Sequence, residues 1–324
     1  MLEDYPRTII EFERRFSTEK ACRDYLVQLR WPDGFLCPRC GASGGWLATR
    51  GRLVCHACRH QSSVTAGTIF QDTHKPLSLW FRAIWHVTSQ KSGTSAAHVQ
   101  QVLGLGSYAT AWTWLHKLRR AMVRPDRDLL CGRVEVDETF ISGEEPRGKG
   151  RKRCTKALVI IAAEENGKGI GRIRMAQIPD RSRRSLHDFI GRTIEPGSKI
   201  HTDGCVAYNG LETLGYQHDA SVLLGRQKDA ATRLLPRVHR VASLAKRWLM
   251  GTHQGAVAND YLDYYLDEFT FRFNRRTSKS RGKLFYRLLQ QAVQIAPVPH
   301  KEMIQAAGTK NTDHNILWSV ESIA

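Results

Sequence analysis

Two cysteine pairs limit what this chain can build more sharply than any other feature. Cys37-Pro-Arg-Cys40 and Cys55-His-Ala-Cys58 are separated by 14 residues, a spacing that lets two tight knuckles present four thiolates tetrahedrally to one zinc ion. Four thiolates close the coordination shell, so such an ion is structural and replaces the core that a short segment cannot build. His56 and His60 are then bystanders. Eight cysteines occur in all, yet the opening MLEDYPRTII lacks the basic-then-apolar pattern of an export signal. No window approaches the roughly 20 apolar residues of a membrane-spanning helix. A reducing, cytoplasmic setting is therefore expected, where clustered cysteines hold metal rather than disulfides.

The 324 residues suggest about two domains with room for a small extra module. Residues 1–34 read as an N-terminal helical segment, broken at Phe16-Ser17, with Ser17 free to cap the second helix. Residues 35–70 form the zinc ribbon. Residues 71–128 carry three apolar-periodic segments, LSLWFRAIWHVTSQ, SAAHVQQVLGL and YATAWTWLHKLRRAM, broken at Gly93 and at Gly104 to Gly106. This is a helix-turn-helix-like pattern. Beyond residue 128 the period changes to two, or to continuous apolar runs, in RVEVDETFI, KALVIIAAEE and GRIRMAQI. A helix, SRRSLHDFIGRTI, and a strand, KIHTDGCVAY, follow, and the chain is then helical from about Pro236 to Val293. The order βββ-α-β-α predicts an α/β domain with a mixed sheet over 129–293 and a tail over 294–324.

Lys plus Arg outnumber Asp plus Glu by 49 to 31, a net charge of +18 on a chain that is 41% hydrophobic. A folded protein this basic suits a polyanion, since each neutralised phosphate releases a counterion. Double-stranded DNA is the expected partner, and with no spanning segment a membrane is not. In YATAWTWLHKLRRAM the buried stripe would be Ala111, Trp114, Leu115 and Leu118. That leaves Ser107, Tyr108, Thr110, Thr113, Lys117 and Arg120 as a candidate major-groove face. The stretch PRGKGRKRCTK has six basic residues and no acidic one, which makes Arg151, Lys152 and Arg153 candidate phosphate contacts.

Asp137 lies inside the strand-like VEVDETFI, and Asp203 closes the strand KIHTD. If these strands are neighbours, both carboxylates face one cleft and can hold a hard divalent cation for phosphoryl transfer. An Asp before Gly204 is more often a turn residue, so the case for Asp203 rests on that pairing.

The runs CPRCG, VEVDETFISG, GKGRKR, the pattern I-x-D-x-S-x-x-S-L from Ile178 to Leu186, PGSKIHTDGCVAY, VHRVASLAKRWLMGTHQG and YLDEFTFRFNRR together resemble the insertion-sequence transposases of the fifteen-ninety-five family. The likeness runs from about residue 12 to about 293. It implies a zinc ribbon followed by an RNase H-like catalytic domain of the DDE superfamily, with Asp137 and Asp203 as the first two acids. It also implies an Mg²⁺ or Mn²⁺ cofactor beside the structural Zn²⁺, terminal inverted repeats and target DNA as substrates, and a homo-oligomer assembled on DNA.

Matching SLAKRW to the family's S-L-x-K-R places His239 where the third acid belongs. Lys246, two helical turns further on, shares its face and is expected to reach a phosphate or terminal base. Histidine ligates through a neutral nitrogen and favours borderline metals over Mg²⁺. Asp229 and Glu268 are the alternative third ligands, and Asn274 is a candidate auxiliary polar group. The expectation is a metal-dependent transposase that cleaves and transfers strands. The rivals are a decayed zinc-ribbon DNA-binding regulator and a free-standing RNase H-like nuclease or resolvase.

Overall fold

The computed structural model describes residues 3–124, 127–141, 156–221, 234–255 and 257–308. Contacts divide the chain into two units, one comprising Met1–Arg124 with Ser278–Ala306 and the other Pro125–Thr277 with Ala307–Ala324.

The first unit opens with α1 (Ile9–Arg15) and α2 (Glu19–Arg30). The cap of α2 is Thr18, whose hydroxyl accepts from the Ala21 amide at 3.2 Å. The neighbouring Ser17 instead donates its hydroxyl back to the Arg14 carbonyl at the end of α1, so the expected cap lies one residue too early. The ribbon is a three-stranded antiparallel sheet of β1 (Gly45–Leu47), β2 (Leu53–Cys55) and β3 (Gln61–Ser62), in that order. Three helices follow, α3 (Leu77–Ser89), α4 (Ala96–Leu103) and α5 (Tyr108–Ala121). Gly104, at φ 62, ends α4 in the left-handed conformation that glycine adopts at least cost, and Ser107 caps α5.

This core is completed from the far end of the sequence. Phe285, on the helix Arg281–Ala292, is fully buried, with ring centroids 5.3 to 5.7 Å from Phe12, Phe16, Phe81 and Trp85. Phe285 thus joins rings from the α1 and α3 segments into one aromatic cluster. The sequence reading ended the catalytic domain at residue 293, whereas the contacts pass to the first unit at Ser278.

In the second unit the sheet has β4 (Arg133–Ile141), β5 (Ala157–Asn166), β6 (Gly169–Gln177), β7 (Lys199–Asp203) and β8 (Gln217–Ser221) in the order β6-β5-β4-β7-β8. β4, β5 and β6 pair antiparallel, while β7 joins β4, and β8 joins β7, in parallel. This is a mixed α/β sheet of RNase H type, as the βββ-α-β order predicts. β5 is apolar from Ala157 to Ala163 because both its faces are covered there. Leu158, Ile160 and Ala162 pack with Leu186, Phe189 and Ile190 of α6 (Arg183–Thr193). Val159, Ile161 and Ala163 pack with Val238, Val241 and Ala245 of α7 (Pro236–His253) and with Leu262, Leu266 and Phe269 of α8 (Leu262–Asn274). In the first unit, α9 (Arg281–Ala292) and α10 (His300–Gly308) complete the described chain.

Candidate active site and zinc centre

β4 alternates as a strand must, and its two faces do different work. Val134, Val136 and Glu138 face α6, while Glu135, Asp137, Thr139 and Ile141 face α7. The pairing of β4 with β7 runs Val134 to Ile200 and Glu135 to His201. Carried on by two residues, it sets Asp137 opposite Asp203 on the same face of adjacent strands. The two sequence-predicted carboxylates are therefore brought together.

α7 is anchored over that face by Glu135. Its buried carboxylate accepts from the amides of Arg237 and Val238, at 2.7 and 3.0 Å, and from the Arg237 guanidinium at 2.8 Å. The first amides of a helix have no partner within it, so an acid here satisfies two of them and complements the positive end of the helix dipole. One residue beyond Val238, His239 Nε2 lies 3.7 Å from Asp137 Oδ2. Two turns further, Lys246 Nζ donates to Thr139 Oγ1 at 2.7 Å. The register read from sequence thus puts His239 and Lys246 on the helix face that looks at Asp137.

Burial, with the like charges of Glu138 and Asp203, pushes the Asp137 carboxyl up to about 7, against the pull of the Glu138 amide and Arg181. The Glu138 amide donates to Asp137 Oδ1 at 2.8 Å, and the Cys205 amide donates to Asp203 Oδ1 at 3.0 Å, so each carboxylate has one oxygen fixed. Glu138 itself is buried on the opposite face, between Arg181 at 2.9 Å and the Tyr208 hydroxyl. Glu135, Glu138, Arg181 and Tyr208 escaped the sequence reading. The signal for Glu135 was available, because Glu135, Asp137 and Thr139 put three polar side chains on the same face of β4. Glu138 had no such signal, since its partners are 43 and 70 residues away.

Other site residues fare differently. Glu268 is buried on α8 and is ion-paired with Arg272 at 2.7 Å. Asn274 Oδ1 accepts from the Ile173 amide at 2.8 Å and its amide donates to the Ile173 carbonyl at 3.1 Å, so it pins α8 to the edge strand β6. Asp229, Arg151, Lys152 and Arg153 lie outside the described residues. In the first unit, Arg120 is only 8% exposed and Lys117 is half-buried, which corrects their assignment to an outward face. The rest of the unit wraps α5 on more sides than a bare three-helix unit would allow: Thr113 bonds His300 of α10 at 2.7 Å, and Trp112 meets the same ring. Ser107 and Tyr108, at the start of α5, remain exposed.

Among the described residues, two groups of potential metal ligands close to within 4.8 Å of one another. One is Cys37, Cys40, Cys55 and Cys58, with Cys37 to Cys58 sulfurs 3.6 Å apart and Cys40 to Cys55 sulfurs 3.7 Å apart. Tetrahedral zinc with Zn–S bonds of about 2.3 Å requires sulfurs about 3.8 Å apart, so the four fit that ion. The other is Glu135, Glu165 and His201, where Arg237 already bridges the two carboxylates at 2.8 and 3.2 Å. Asp137, Asp203 and His239 form a more open set than either.

Residues 129–274 match the ISXO2-like transposase domain, and residues 17–61 match a transposase zinc-ribbon domain. An uncharacterized protein in the transposable element ISH50 of Halobacterium salinarum is 27% identical over 290 residues, spanning 83% of this chain and 95% of that protein. Among solved structures, a pre-cleavage Mos1 transpososome is 10% identical over 71% of this chain and 79% of that one, with a TM-score of 0.26. The Mos1 strand transfer complex is 12% identical over 71% and 78%, with a TM-score also of 0.26. No described helix is long and apolar enough to cross a membrane.

Proposed function

Since the chain belongs to the fifteen-ninety-five family of insertion-sequence transposases, we propose that it binds the terminal repeats of an insertion sequence, cleaves the DNA there and transfers the freed strand to a target. The observation that supports this reading is the β4 and β7 pairing, which ends at Glu135 and His201 and, carried on by two residues, aligns Asp203 with Asp137, itself 3.7 Å from His239. Two crowded carboxylates beside an imidazole are a donor set that a divalent cation, Mg²⁺ or Mn²⁺, would relieve of its like-charge repulsion. Such an ion supplies Lewis-acid activation of water and stabilisation of the leaving oxygen.

The chain's own residues orient the reaction. In the first step a water oxygen bonds to phosphorus at the transposon end, and the 3′ oxygen departs as a hydroxyl. In the second, that hydroxyl bonds to a target phosphorus and displaces the target's own 3′ oxygen, its proton passing to solvent or to a nearby base. Asp137, at about 7, is poised to exchange a proton for a cation at neutral pH. Lys246, held by Thr139 at the rim, reaches a phosphate of the bound end as a point charge. The exposed start of α5 enters the major groove, and the zinc ribbon, Arg151, Lys152 and Arg153 add backbone contacts. Assembly as a homo-oligomer on two DNA ends and a cytoplasmic, nucleoid-associated location belong to the same reading.

One observation favours the rival of an end-binding regulator: His239 stands where an acid is expected. The two readings separate on Asp137→Asn and Asp203→Asn. Each should bind a terminal-repeat duplex as the wild type does and lose end cleavage. Cleavage by either variant at the wild-type rate would refute the site, and no cleavage by the wild type would favour the regulator.

A further inference from the structure

The two knuckles of the ribbon are built alike. In each, the residue after the second cysteine donates its amide to the carbonyl of the first, Gly41 to Cys37 at 3.0 Å and Arg59 to Cys55 at 3.1 Å. In each, that residue turns into the left-handed region, Gly41 at φ 71 and Arg59 at φ 59. Gly41 is what the backbone alone selects for such a turn, because the left-handed conformation strains any residue with a Cβ even though nothing lies within 4 Å of that position. Arg59 occupies the matching place at a conformational cost, and its side chain is not spent on the interior. The guanidinium lies 5.0 Å from the ring centroid of Trp46, whose other neighbour is the His56 ring at 5.1 Å.

Trp46 sits on β1, the edge of the ribbon sheet, and remains 38% exposed, beside Leu47 at 58%. A large indole left in water by so small a module is an unusual expenditure of apolar surface. The surrounding charge is one-sided. Residues 35–70 contain four arginines and no acidic residue, and Arg39, Arg52 and Arg59 are exposed. Four arginines outweigh the net −2 that a zinc ion with four thiolates would carry, so the loaded ribbon is positive.

We infer that Trp46, His56 and Arg59 form a DNA-contact patch on the zinc ribbon, in which Arg59 meets a backbone phosphate and the indole holds the guanidinium in place and covers the adjoining sugar. The inference rests on the transposase reading and extends it to a surface that the cysteine pattern alone does not indicate. A phosphate contact carries no sequence information, so the patch adds affinity to any duplex and positions the terminal one.

The test is a titration of full-length protein with a fluorescent terminal-repeat duplex and an unrelated duplex across a range of salt, on wild type, Arg59→Gly and Trp46→Ala, with zinc counted in each. Glycine is the residue the turn prefers, so Arg59→Gly should keep one zinc per chain. It should bind both duplexes several-fold more weakly, with a salt slope smaller by about one. Trp46→Ala should weaken binding with less change in slope. Wild-type affinity and slope in a zinc-loaded Arg59→Gly would overturn the patch, and so would loss of zinc from that variant, which would make the pair a structural staple. A wild type that binds neither duplex would instead overturn the transposase reading on which the patch rests.

Discussion

Burial, compounded by the negative charges of Glu138 and Asp203, holds the Asp137 carboxyl up at about 7 from 3.8. Between those values the folded chain keeps a proton that the unfolded chain has released, so stability falls as pH rises through the window. About three pKa units correspond to at most about 4 kcal/mol, fully felt above pH 7. Metal-free Asp137→Asn should therefore melt higher than the metal-free wild type at pH 8 and nearly with it at pH 4. A lower melting temperature at pH 8 would contradict the shift. His239 poses the complementary question. As a ligand it favours Mn²⁺ over Mg²⁺, so the wild type should cleave faster in Mn²⁺. His239→Ala should lose most cleavage, and His239→Glu should keep part of it in Mg²⁺. Full activity of His239→Ala in both metals would assign the third ligand elsewhere. Asp137 and Asp203 were legible because an acid in or closing an apolar strand calls for a partner. Glu135 shares a face with Asp137 and Thr139, which marks it as a polar position, but its role as anchor of a helix 102 residues away is encoded by no local pattern.

Elements with a strong period were read correctly in kind, and the misses have physical causes. β5 and α6 announce themselves through unbroken or helically spaced apolar residues. β8, Gln217–Ser221 in the run QHDAS, went unread because a polar edge strand has no buried face to impose alternation. The middle of α5 was read as exposed because a helix's second buried face is set by tertiary partners. Here Thr113 and Trp112 meet His300 of α10, nearly 190 residues downstream. The ribbon was legible because cysteine spacing encodes its geometry directly. Its strands supply little core, so on the proposed reading a bound zinc would hold the fold together. Cys58→Ser should release the zinc and weaken binding to terminal DNA while leaving the melting of the second unit unchanged. Purified wild type that contains no zinc would contradict the ribbon.

At the scale of the whole chain, the first unit borrows its central ring, Phe285, from beyond the second unit. A reading along the sequence assigns α9 to the domain it follows, and only contacts return it. The second unit is closed by a sheet whose central strand, β4, carries both the anchor of α7 and the first acid, so the fold and the site share one element. On the proposed reading, that shared element serves strand transfer by a strongly basic chain, and binding alone is the alternative to separate from it. The most direct measurement is joining. Protein is incubated with a duplex ending in the element's terminal repeat, labelled on the transferred strand, together with a target plasmid and Mn²⁺. A nick at the element boundary is expected, followed by label covalently attached to the plasmid, both absent with Asp137→Asn or chelator. Duplex that is bound but never joined, in Mn²⁺ or in Mg²⁺, would contradict it.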